Sequence, residues 1–327
     1  MTSSAQTSRL NVEQQPGKPP MLRVDGARRR GDAARWAAEH RNVLRAAVTE
    51  HGALLVRGLG LSDAAETEAV FRQLGSLMIE REAFAPRRRY DEDVYSASQW
   101  PPNQPMCMHH ELSYAAQVPG LMLFACLVAP TRGGATPVAD SLAVLDALPG
   151  ELIERFERVG WLLVRNYNED IGASVADAFG TDDQGVVERY CRAHAIEFEW
   201  LVGGVLRTRQ RRSAVVRHPL TGRRCWFNQV AFLNEWTIAP EVRQYLVDVY
   251  GEDRLPFNTC FGDGAPIGED VVQTINKVYD ANTVREEWEV GDLLLVDNIR
   301  TAHAREPFEG PREVVVALAD VASSPGL

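Results

Sequence analysis

Three residues, His109, Glu111 and His303, carry side chains suited to holding one metal ion. His109 and Glu111 stand two positions apart, so on an extended strand both side chains leave the same face. His303 follows a distant apolar run, so a second strand can deliver it to the same ion. Two imidazoles and one carboxylate on one face of an octahedron leave three positions open, as in non-heme Fe(II) oxygenases. The spacing therefore predicts a mononuclear iron site.

Other interpretations of these residues stay open at this point. A bare His-x-Glu triplet occurs by chance, and the same ligand types also suit zinc, so a zinc-dependent hydrolase or lyase is one alternative. A noncatalytic binding protein is another. His110 competes with His109 as a ligand, but on an extended segment its side chain leaves the face opposite Glu111. We assign the metal to His109 and expect His110 to orient a ligand or to contact substrate.

Two polar residues precede the distal histidine. A carboxylate or amide oxygen near a metal-binding imidazole can accept a hydrogen bond from its far ring nitrogen and so fix the ring. Asp297 and Asn298 are predicted to orient His303 in this way, with ordinary loop positions as the alternative.

Length and composition restrict the class of protein. The chain has 327 residues, of which 45% are hydrophobic, enough for a substantial core in one large domain or two ordinary ones. Its formal net charge of -10 argues against nonspecific nucleic-acid binding. The locally basic runs 28–30, 87–89 and 207–212 are interpreted as solvated surface, with docking of a partner as the alternative.

The cysteines and the hydropathy pattern indicate the compartment. Five cysteines without CxxC spacing argue against a disulfide framework and favour a reducing environment. The N-terminus lacks the apolar core of a signal peptide, and no stretch approaches the roughly 20 apolar residues that span a membrane. We expect a cytoplasmic protein with no membrane partner.

Apolar periodicity and turn residues predict many short strands with helices around them. Residues 1–20 lack a periodic signal and are predicted to be a disordered tail, followed by a single domain at 21–327. Asp63 and Glu66 look like a capping box at the start of a helix. Helices are predicted at 32–51, 141–148, 149–159, 240–250 and 269–279, and strands at 53–57, 121–128, 161–167, 213–218, 224–228, 291–297 and 312–318.

This order of elements predicts a mainly β fold with helical support, in the α+β class. Short strands with helices in the first part and in an insertion favour a closed double-sheet barrel or jelly roll. A βαβ fold is a weaker alternative, because the alternation is irregular and the glycines at 58 and 60 lack the spacing of a dinucleotide fingerprint.

Several segments together resemble one family. The order and spacing of these segments resemble those of the taurine dioxygenase-like (TauD/TfdA) superfamily of Fe(II)/2-oxoglutarate-dependent oxygenases. The resemblance is strongest to its SyrP-like branch, which works in natural-product pathways. The resemblance covers roughly residues 50 to 320. It is carried by the segments 109–114, 133–140, 206–210, 226–228 and 296–312.

The resemblance implies a double-stranded β-helix with Fe(II) held in one mouth by His109, Glu111 and His303. It also implies 2-oxoglutarate and O2 as cosubstrates. The far carboxylate of 2-oxoglutarate needs a buried cation, and Arg312, predicted on the strand after the distal histidine, fits that need because a guanidinium binds a carboxylate through two hydrogen bonds. Thr136 matches the family's hydroxyl donor to 2-oxoglutarate.

Further residues are candidates with open alternatives. Arg305 is predicted to bind the cosubstrate, with pairing to Glu306 or Glu309, or capping of the strand, as alternatives. Substrate contacts are predicted at His110, Arg207, Arg209, Trp226, Asn228 and Gln229, with packing of a hairpin as the alternative.

The reaction expected from the resemblance is hydroxylation of an unactivated aliphatic C–H bond. Related halogenases have a small residue where this chain has Glu111, so the carboxylate argues against halogenation; desaturation and cyclisation remain alternatives. The SyrP-like resemblance implies an amino-acid substrate, free or held as a thioester on a carrier protein, in antibiotic or other natural-product biosynthesis.

Overall fold

The structure is a computed structural model and describes residues 11–24, 32–85, 87–91, 93–167 and 171–323. Its helices are α1 (Asp32–His51), α2 (Ala64–Leu74), α3 (Ser141–Ala147), α4 (Gly150–Val159), α5 (Val175–Phe179), α6 (Gln184–Ala193), α7 (Pro240–Tyr250) and α8 (Glu269–Ala281). Its strands are β1 (Val12–Glu13), β2 (Met21–Arg23), β3 (Ala53–Arg57), β4 (Leu77–Met78), β5 (Arg89–Asp91), β6 (Val94–Ser96), β7 (Met106–His109), β8 (Gln117–Val128), β9 (Arg132–Gly133), β10 (Val138–Asp140), β11 (Trp161–Tyr167), β12 (Glu197–Trp200), β13 (Leu206–Arg212), β14 (Val215–Arg217), β15 (Arg224–Trp226), β16 (Phe257–Phe261), β17 (Thr283–Val284), β18 (Leu293–Asp297), β19 (Thr301–Arg305), β20 (Phe308–Glu309) and β21 (Glu313–Ser323).

Two sheets enclose the main core. The major sheet has the order β1-β2-β3-β18-β8-β21-β6-β5, with β4 paired to β21, and the minor sheet has the order β17-β10-β19-β7. One apolar cluster contains Phe124 and Val316 from the major sheet together with Met108, Val138 and Ala302 from the minor sheet. This is the predicted jelly roll with flanking helices, and the α+β fold class is confirmed.

Helices α1 and α2 cover the other face of the major sheet. Successive strand residues point to opposite faces, so Leu294 of β18 packs between the sheets, whereas Leu293 and Leu295 pack with Trp36 and Phe71 of the helices. Because β18 is buried on both faces, its residues 293–296 are all apolar instead of alternating with polar ones.

The segment between β10 and β17 is an insertion into the jelly roll. It carries a third sheet, in the order β12-β13-β11-β16. Helices α5 and α6 pack on this sheet through a small cluster of their own that includes Phe179, Val187 and Leu206. Helix α7 begins with Pro240 in its first turn and ends at Tyr250, with Gly251 as its C-cap.

Most predicted elements are confirmed, and a few bounds differ. The helices at 32–51 and 240–250 and the strands at 53–57 and 161–167 match α1, α7, β3 and β11. The last strand begins at Glu313, so Arg312 lies just before it and not within it as expected. At the predicted capping box, the Asp63 side chain accepts a hydrogen bond from the Glu66 N–H, but the Glu66 carboxylate accepts one from the Ser62 N–H.

The predicted N-terminal tail is wrong for residues 11–20, while residues 1–10 lie outside the described residues. Strand β1 pairs with β2, and Lys18 Nζ lies 2.7 Å from Glu286 Oε2. The single domain at 21–327 stays a prediction. No helix among the described residues is long and apolar enough to cross a membrane.

Candidate active site

The three predicted metal ligands meet at one point. His109 on β7 and His303 on β19 are cross-strand partners, and their ring centroids are 4.4 Å apart. One donor atom each from His109, Glu111 and His303 lie within 4.8 Å of one another, and all three residues are buried. His303 is delivered by β19 of the minor sheet, because the chain turns after β18 and crosses between the sheets.

Glu111 reaches this point in a different way from the one expected. Strand β7 ends at His109, and Glu111 lies in the following turn, where Leu112 has a positive φ of 52°. The Asn298 side chain binds the Glu111 backbone on both sides: Oδ1 accepts from its N–H at 2.8 Å, and Nδ2 donates to its carbonyl at 3.0 Å. Asn298 therefore positions Glu111, and the expectation that it orients His303 is wrong.

The two imidazoles present their Nε2 atoms to the centre. His109 Nδ1 lies 2.8 Å from the Cys107 carbonyl, which fixes Nδ1 as the donor and leaves Nε2 with a free lone pair. His303 Nε2 lies 3.8 Å from Glu111 Oε2. Asp297 does not bind His303: its Oδ2 lies 2.8 Å from His218 Nε2 instead. The expected role of Asp297 is therefore wrong.

Burial favours the neutral form of both imidazoles. Burial lowers the pKa of His109, against the opposing charge of Glu111. Burial also lowers the pKa of His303 well below its ordinary value, and the neighbouring His109 and Arg87 lower it further. A metal binds the neutral imidazole, so the environment favours the form that can act as a ligand.

Arg312 and Thr136 lie together on the same side of the cavity. Arg312 Nε donates to the Gly134 carbonyl at 2.9 Å, and Nη2 lies 3.5 Å from Thr136 Oγ1. Gly134 has a positive φ of 71°, and a Cβ there would lie 2.9 Å from Phe308 Cβ and 3.2 Å from Arg312 Cδ. Only glycine fits this turn without displacing the arginine.

Within the part of the chain that the structure describes, the charge of Arg312 has no ion-pair partner. Among the described residues, no carboxylate lies within ion-pair distance of its guanidinium. Burial, together with the neighbouring charge of Arg305, lowers its pKa to about 10. Such a cation fits an incoming carboxylate, because a buried charge is costly until it is paired.

Arg305 holds a loop beside the same cavity. Its two terminal nitrogens donate to the carbonyls of Trp100, Pro101 and Gln104. The alternative pairings are not formed: Glu306 pairs with Arg285, and Glu309 lies 3.6 Å from Arg132. A direct contact of Arg305 with the cosubstrate stays a prediction.

One small cavity brings these groups together. We call it the ligand cavity. The predicted metal ligands His109, Glu111 and His303 line it together with Thr136, Arg305, Arg312, Arg87, Ala97, Ser98, Met106, Phe124, Ala304, Val314 and Val316.

Arg87 was not predicted to be part of this site. Its Nη2 donates to Glu111 Oε2 at 2.8 Å, and its Nε lies 3.2 Å from Glu80 Oε2. Burial raises the pKa of Glu80 to about 7, while the charge of Arg87 opposes that shift. The interpretation of 87–89 as solvated surface is therefore wrong for Arg87, although Arg88 and Arg89 are exposed. Nothing in a run of three arginines distinguishes the buried one.

Four of the predicted substrate residues pack behind the site and do not line the ligand cavity. His110 Nδ1 lies 2.6 Å from the Asn298 carbonyl, its Nε2 lies 2.8 Å from Ser141 Oγ, and burial lowers its pKa to about 4. Gln229 donates to the His110 carbonyl at 2.7 Å. Trp226 packs against Phe156 in the core, and Asn228 Nδ2 donates to the Ala214 carbonyl. These side chains support the His-x-Glu segment or the core, which for His110 is compatible with the first of its two expected roles, and contact with substrate stays a prediction for all four.

Arg207 and Arg209 are also placed away from the ligand cavity. Alternate residues of β13 face outward, and both arginines belong to the outward set. Arg207 binds Asn166 and the Asp253 carbonyl, and Arg209 lies 3.8 Å from Glu199. A contact of either arginine with substrate stays a prediction.

The donor set and its surroundings fit iron and 2-oxoglutarate. Two neutral imidazoles with one carboxylate suit Fe(II), and the unpaired Arg312 beside the Thr136 hydroxyl suits a dicarboxylate. The family model described as taurine catabolism dioxygenase TauD, TfdA family, matches residues 15–318. The chain belongs to this family. Membership confirms the predicted enzyme class, an Fe(II)/2-oxoglutarate-dependent dioxygenase that uses O2, and disfavours the zinc hydrolase.

Individual relatives agree with this assignment. The chain is 35% identical over 278 residues to the dapdiamide synthesis protein DdaC of Enterobacter agglomerans, covering 84% of this chain and 83% of the relative. It is 29% identical over 281 residues to a clavaminate synthase-like protein of Arabidopsis thaliana, covering 82% of each. The crystal structure of PvcB from Pseudomonas aeruginosa has the same fold, with a TM-score of 0.55 and 16% identity over 99% of this chain and 96% of that one.

Proposed function

We propose that this TauD/TfdA-family enzyme hydroxylates an unactivated aliphatic C–H bond of an amino-acid-derived substrate in natural-product biosynthesis. In this proposal His109, Glu111 and His303 hold Fe(II), and Arg312 and Thr136 hold 2-oxoglutarate. The observation that carries it is the ligand cavity, in which a three-donor set and an unpaired buried arginine face the same space.

The residues of the chain have separate tasks in this mechanism. Bound Fe(II), with 2-oxoglutarate and O2, supplies the oxidant that removes a hydrogen atom from carbon and returns a hydroxyl group. His109 and His303 offer neutral donors, and Arg312 grips the far carboxylate of the cosubstrate through charge-assisted hydrogen bonds. Phe124, Val314 and other apolar side chains of the ligand cavity exclude water from the reacting groups.

The residues first expected to contact substrate do not line the ligand cavity, so we look for the substrate in another cavity. A larger, mostly apolar cavity of about 400 Å³ lies beside the ligand cavity. Its aromatic side chains include Phe84, Trp100, Phe232 and Phe257. Phe232 stacks on the His109 ring at 4.5 Å between centroids, so only one ring separates this cavity from a predicted metal ligand. We propose that the apolar part of the substrate lies there.

The relative assigned to dapdiamide synthesis supports a natural-product pathway, and the size of the apolar cavity is compatible with more than a small free amino acid. Two forms of the substrate are therefore tested, the free amino acid and the thioester on a carrier protein. We further propose a cytoplasmic location, which the five free cysteines support.

Mass spectrometry with Fe(II), 2-oxoglutarate and O2 tests the proposal on panels of free and carrier-loaded amino acids. A gain of one oxygen atom with matching succinate supports hydroxylation. A loss of two hydrogens would assign desaturation or cyclisation instead. Absence of O2-dependent succinate with every substrate, in a protein that binds Fe(II), would contradict the proposal.

A further inference from the structure

An open cleft at the protein surface adjoins the ligand cavity beside Arg312. Arg312, Arg305 and Ser98 line both spaces, and Arg312 keeps part of its surface exposed. We call this space the arginine cleft; the lining residues that matter here are Arg88, Tyr90, Arg305, Phe308, Arg312 and Glu313. The ligand cavity therefore lies next to the surface at the guanidinium proposed to bind the far carboxylate of 2-oxoglutarate.

The arginine cleft carries an excess of positive charge. Among its described lining residues there are three arginines and one carboxylate, that of Glu313, which leaves a formal charge of +2. Arg88 Nη2 lies 2.8 Å from Glu313 Oε1 at the outer end, where the two side chains are 60% and 35% exposed. The guanidinium carbons of Arg305 and Arg312 lie 5.2 and 5.5 Å from the centroid of the Phe308 ring. A cleft lined by one sign of charge attracts ligands of the opposite sign.

A fixed loop separates the arginine cleft from the apolar cavity. Gln99 and Trp100 line both spaces, so this part of the loop forms the wall between them. Arg305 holds the wall from the side of the arginine cleft, because its terminal nitrogens donate to the carbonyls of Trp100, Pro101 and Gln104. The two spaces thus lie on opposite sides of one anchored segment.

The apolar cavity offers a dianion much less. Among the described residues, Arg165 is the one charged residue that lines it, and both of its terminal nitrogens already donate to backbone carbonyls, those of Glu82 and Ala83. No described residue lines both this cavity and the ligand cavity, and Phe232 stacks on His109 between them. A dicarboxylate crossing this apolar space would lose hydration without gaining a partner.

We propose that 2-oxoglutarate enters, and succinate leaves, through the arginine cleft, while the substrate occupies the apolar cavity. This rests on the proposed function. The two dicarboxylates then follow a path of positive charge that ends at Arg312, and the apolar part of the substrate stays in apolar surroundings. A substrate in the apolar cavity would therefore leave the exchange of succinate for 2-oxoglutarate unobstructed.

The size of the expected effect follows from electrostatic steering. Clefts lined by one sign of charge typically raise association rates by about 10- to 1000-fold. Shared equally among three guanidinium groups, this is about 2- to 10-fold for each. Arg88→Met should slow the association of 2-oxoglutarate by a factor in this range. Glu313→Gln should speed it by a similar factor, because it removes the negative charge of the cleft.

Anaerobic stopped-flow absorption measures these rates. The Fe(II)-loaded protein is mixed with 2-oxoglutarate, and the rate at which the charge-transfer band develops gives the association rate constant. The differences between the charge variants and the wild type should shrink at high salt, because ions screen exposed charges. Arg89→Met is the matched control: Arg89 is an exposed neighbour of Arg88 that does not line the cleft, so the variant should keep the wild-type rate.

A second control narrows the other space. Ala239 is an exposed residue that lines the apolar cavity and precedes helix α7, so Ala239→Trp places a bulky side chain at the opening of that cavity. The association rate of 2-oxoglutarate should not change. A wild-type rate in Arg88→Met or in Glu313→Gln, or a slower rate in Ala239→Trp, would overturn the proposal.

The opposite signs expected for the two charge variants protect the test against loss of folding, which would slow association in both. A wild-type protein that forms no charge-transfer band would contradict the proposed function. A band that forms at the same rate in wild type, Arg88→Met and Glu313→Gln would contradict only the entry route, so the two failures are distinguishable.

Discussion

Replacing Arg312 by glutamine should have two effects of opposite sign. Burial, together with the neighbouring charge of Arg305, lowers the pKa of Arg312 from its ordinary value to about 10. At about 1.4 kcal/mol for each tenfold change in protonation, keeping this residue charged costs the ligand-free protein about 3 kcal/mol. The hydrogen bond from Nε to Gly134 offsets about 1 kcal/mol of that. Arg312→Gln should therefore raise the free energy of unfolding by about 2 kcal/mol.

The same substitution should weaken the binding of 2-oxoglutarate. Truncating one partner of a buried, hydrogen-bonded charge pair costs roughly 2 to 5 kcal/mol. That corresponds to a dissociation constant roughly 30- to 5000-fold higher. A merely structural arginine would not give this combination of a more stable protein with weaker binding.

A double-mutant cycle isolates the charge pair. The ligands are 2-oxoglutarate and 2-oxopentanoate, which keeps the chelating end but lacks the far carboxylate, and binding is followed anaerobically by the Fe(II) charge-transfer band. Wild type should strongly prefer 2-oxoglutarate, and Arg312→Gln should lose that preference. Arg132→Gln, at a side chain 81% exposed, is the control. If Arg312→Gln weakens both ligands equally, or is less stable and still prefers 2-oxoglutarate, the assigned role of Arg312 is refuted.

Three further substitutions test the surroundings of the site. Asn298→Asp removes the two hydrogen bonds that the Asn298 side chain donates to the Glu111 and Pro119 carbonyls. The affinity for Mn(II) should therefore fall about 10-fold or more, as measured by titration of the electron paramagnetic resonance signal of free Mn(II). An unchanged affinity would contradict the role of Asn298 in positioning Glu111. Gly134→Ala should destabilise the fold by about 1–3 kcal/mol in urea unfolding and weaken 2-oxoglutarate binding, because the glycine has a φ of 71° and close neighbours. Burial raises the pKa of Glu80 from 4.5 to about 7. Between these two pH values the folded state therefore keeps a proton that the unfolded state releases. The wild-type free energy of unfolding should fall by up to about 3 kcal/mol as the pH rises through that range. Glu80→Gln should lack this fall, and identical pH profiles would contradict the assignment.

The sequence was sufficient to predict the elements whose pattern is local. Helix α1 and strand β3 have periodic apolar residues bounded by capping or glycine positions, and their predicted bounds match the structure. Helices α5 and α6 were missed because they are short and pack through a small cluster that only the folded insertion creates. Their stability depends on tertiary contacts more than on propensity.

Within the site, spacing predicted which residues meet but not how. The positions of His109, Glu111 and His303 were found from residue type and order. The strand geometry assumed for Glu111 was wrong, because a side chain 187 residues away, Asn298, holds its backbone in a turn. Long-range contacts of this kind leave no local pattern.

The substrate candidates show a second limit. The alternation in β13 is visible in the sequence, with Arg207 and Arg209 between Leu206, Thr208 and Gln210, and applying the two-residue period would have placed the arginines outward. Polarity alone was the wrong criterion.

The proposed function requires His109, His303 and Glu111 to hold Fe(II) together with 2-oxoglutarate. Anaerobic absorption spectroscopy detects this complex. Wild-type protein with Fe(II) should develop a metal-to-ligand charge-transfer band when 2-oxoglutarate is added, and His303→Ala should develop none while its fold, measured by circular dichroism, is retained. A wild-type protein without the band, or a His303→Ala protein with the same band, would contradict the account.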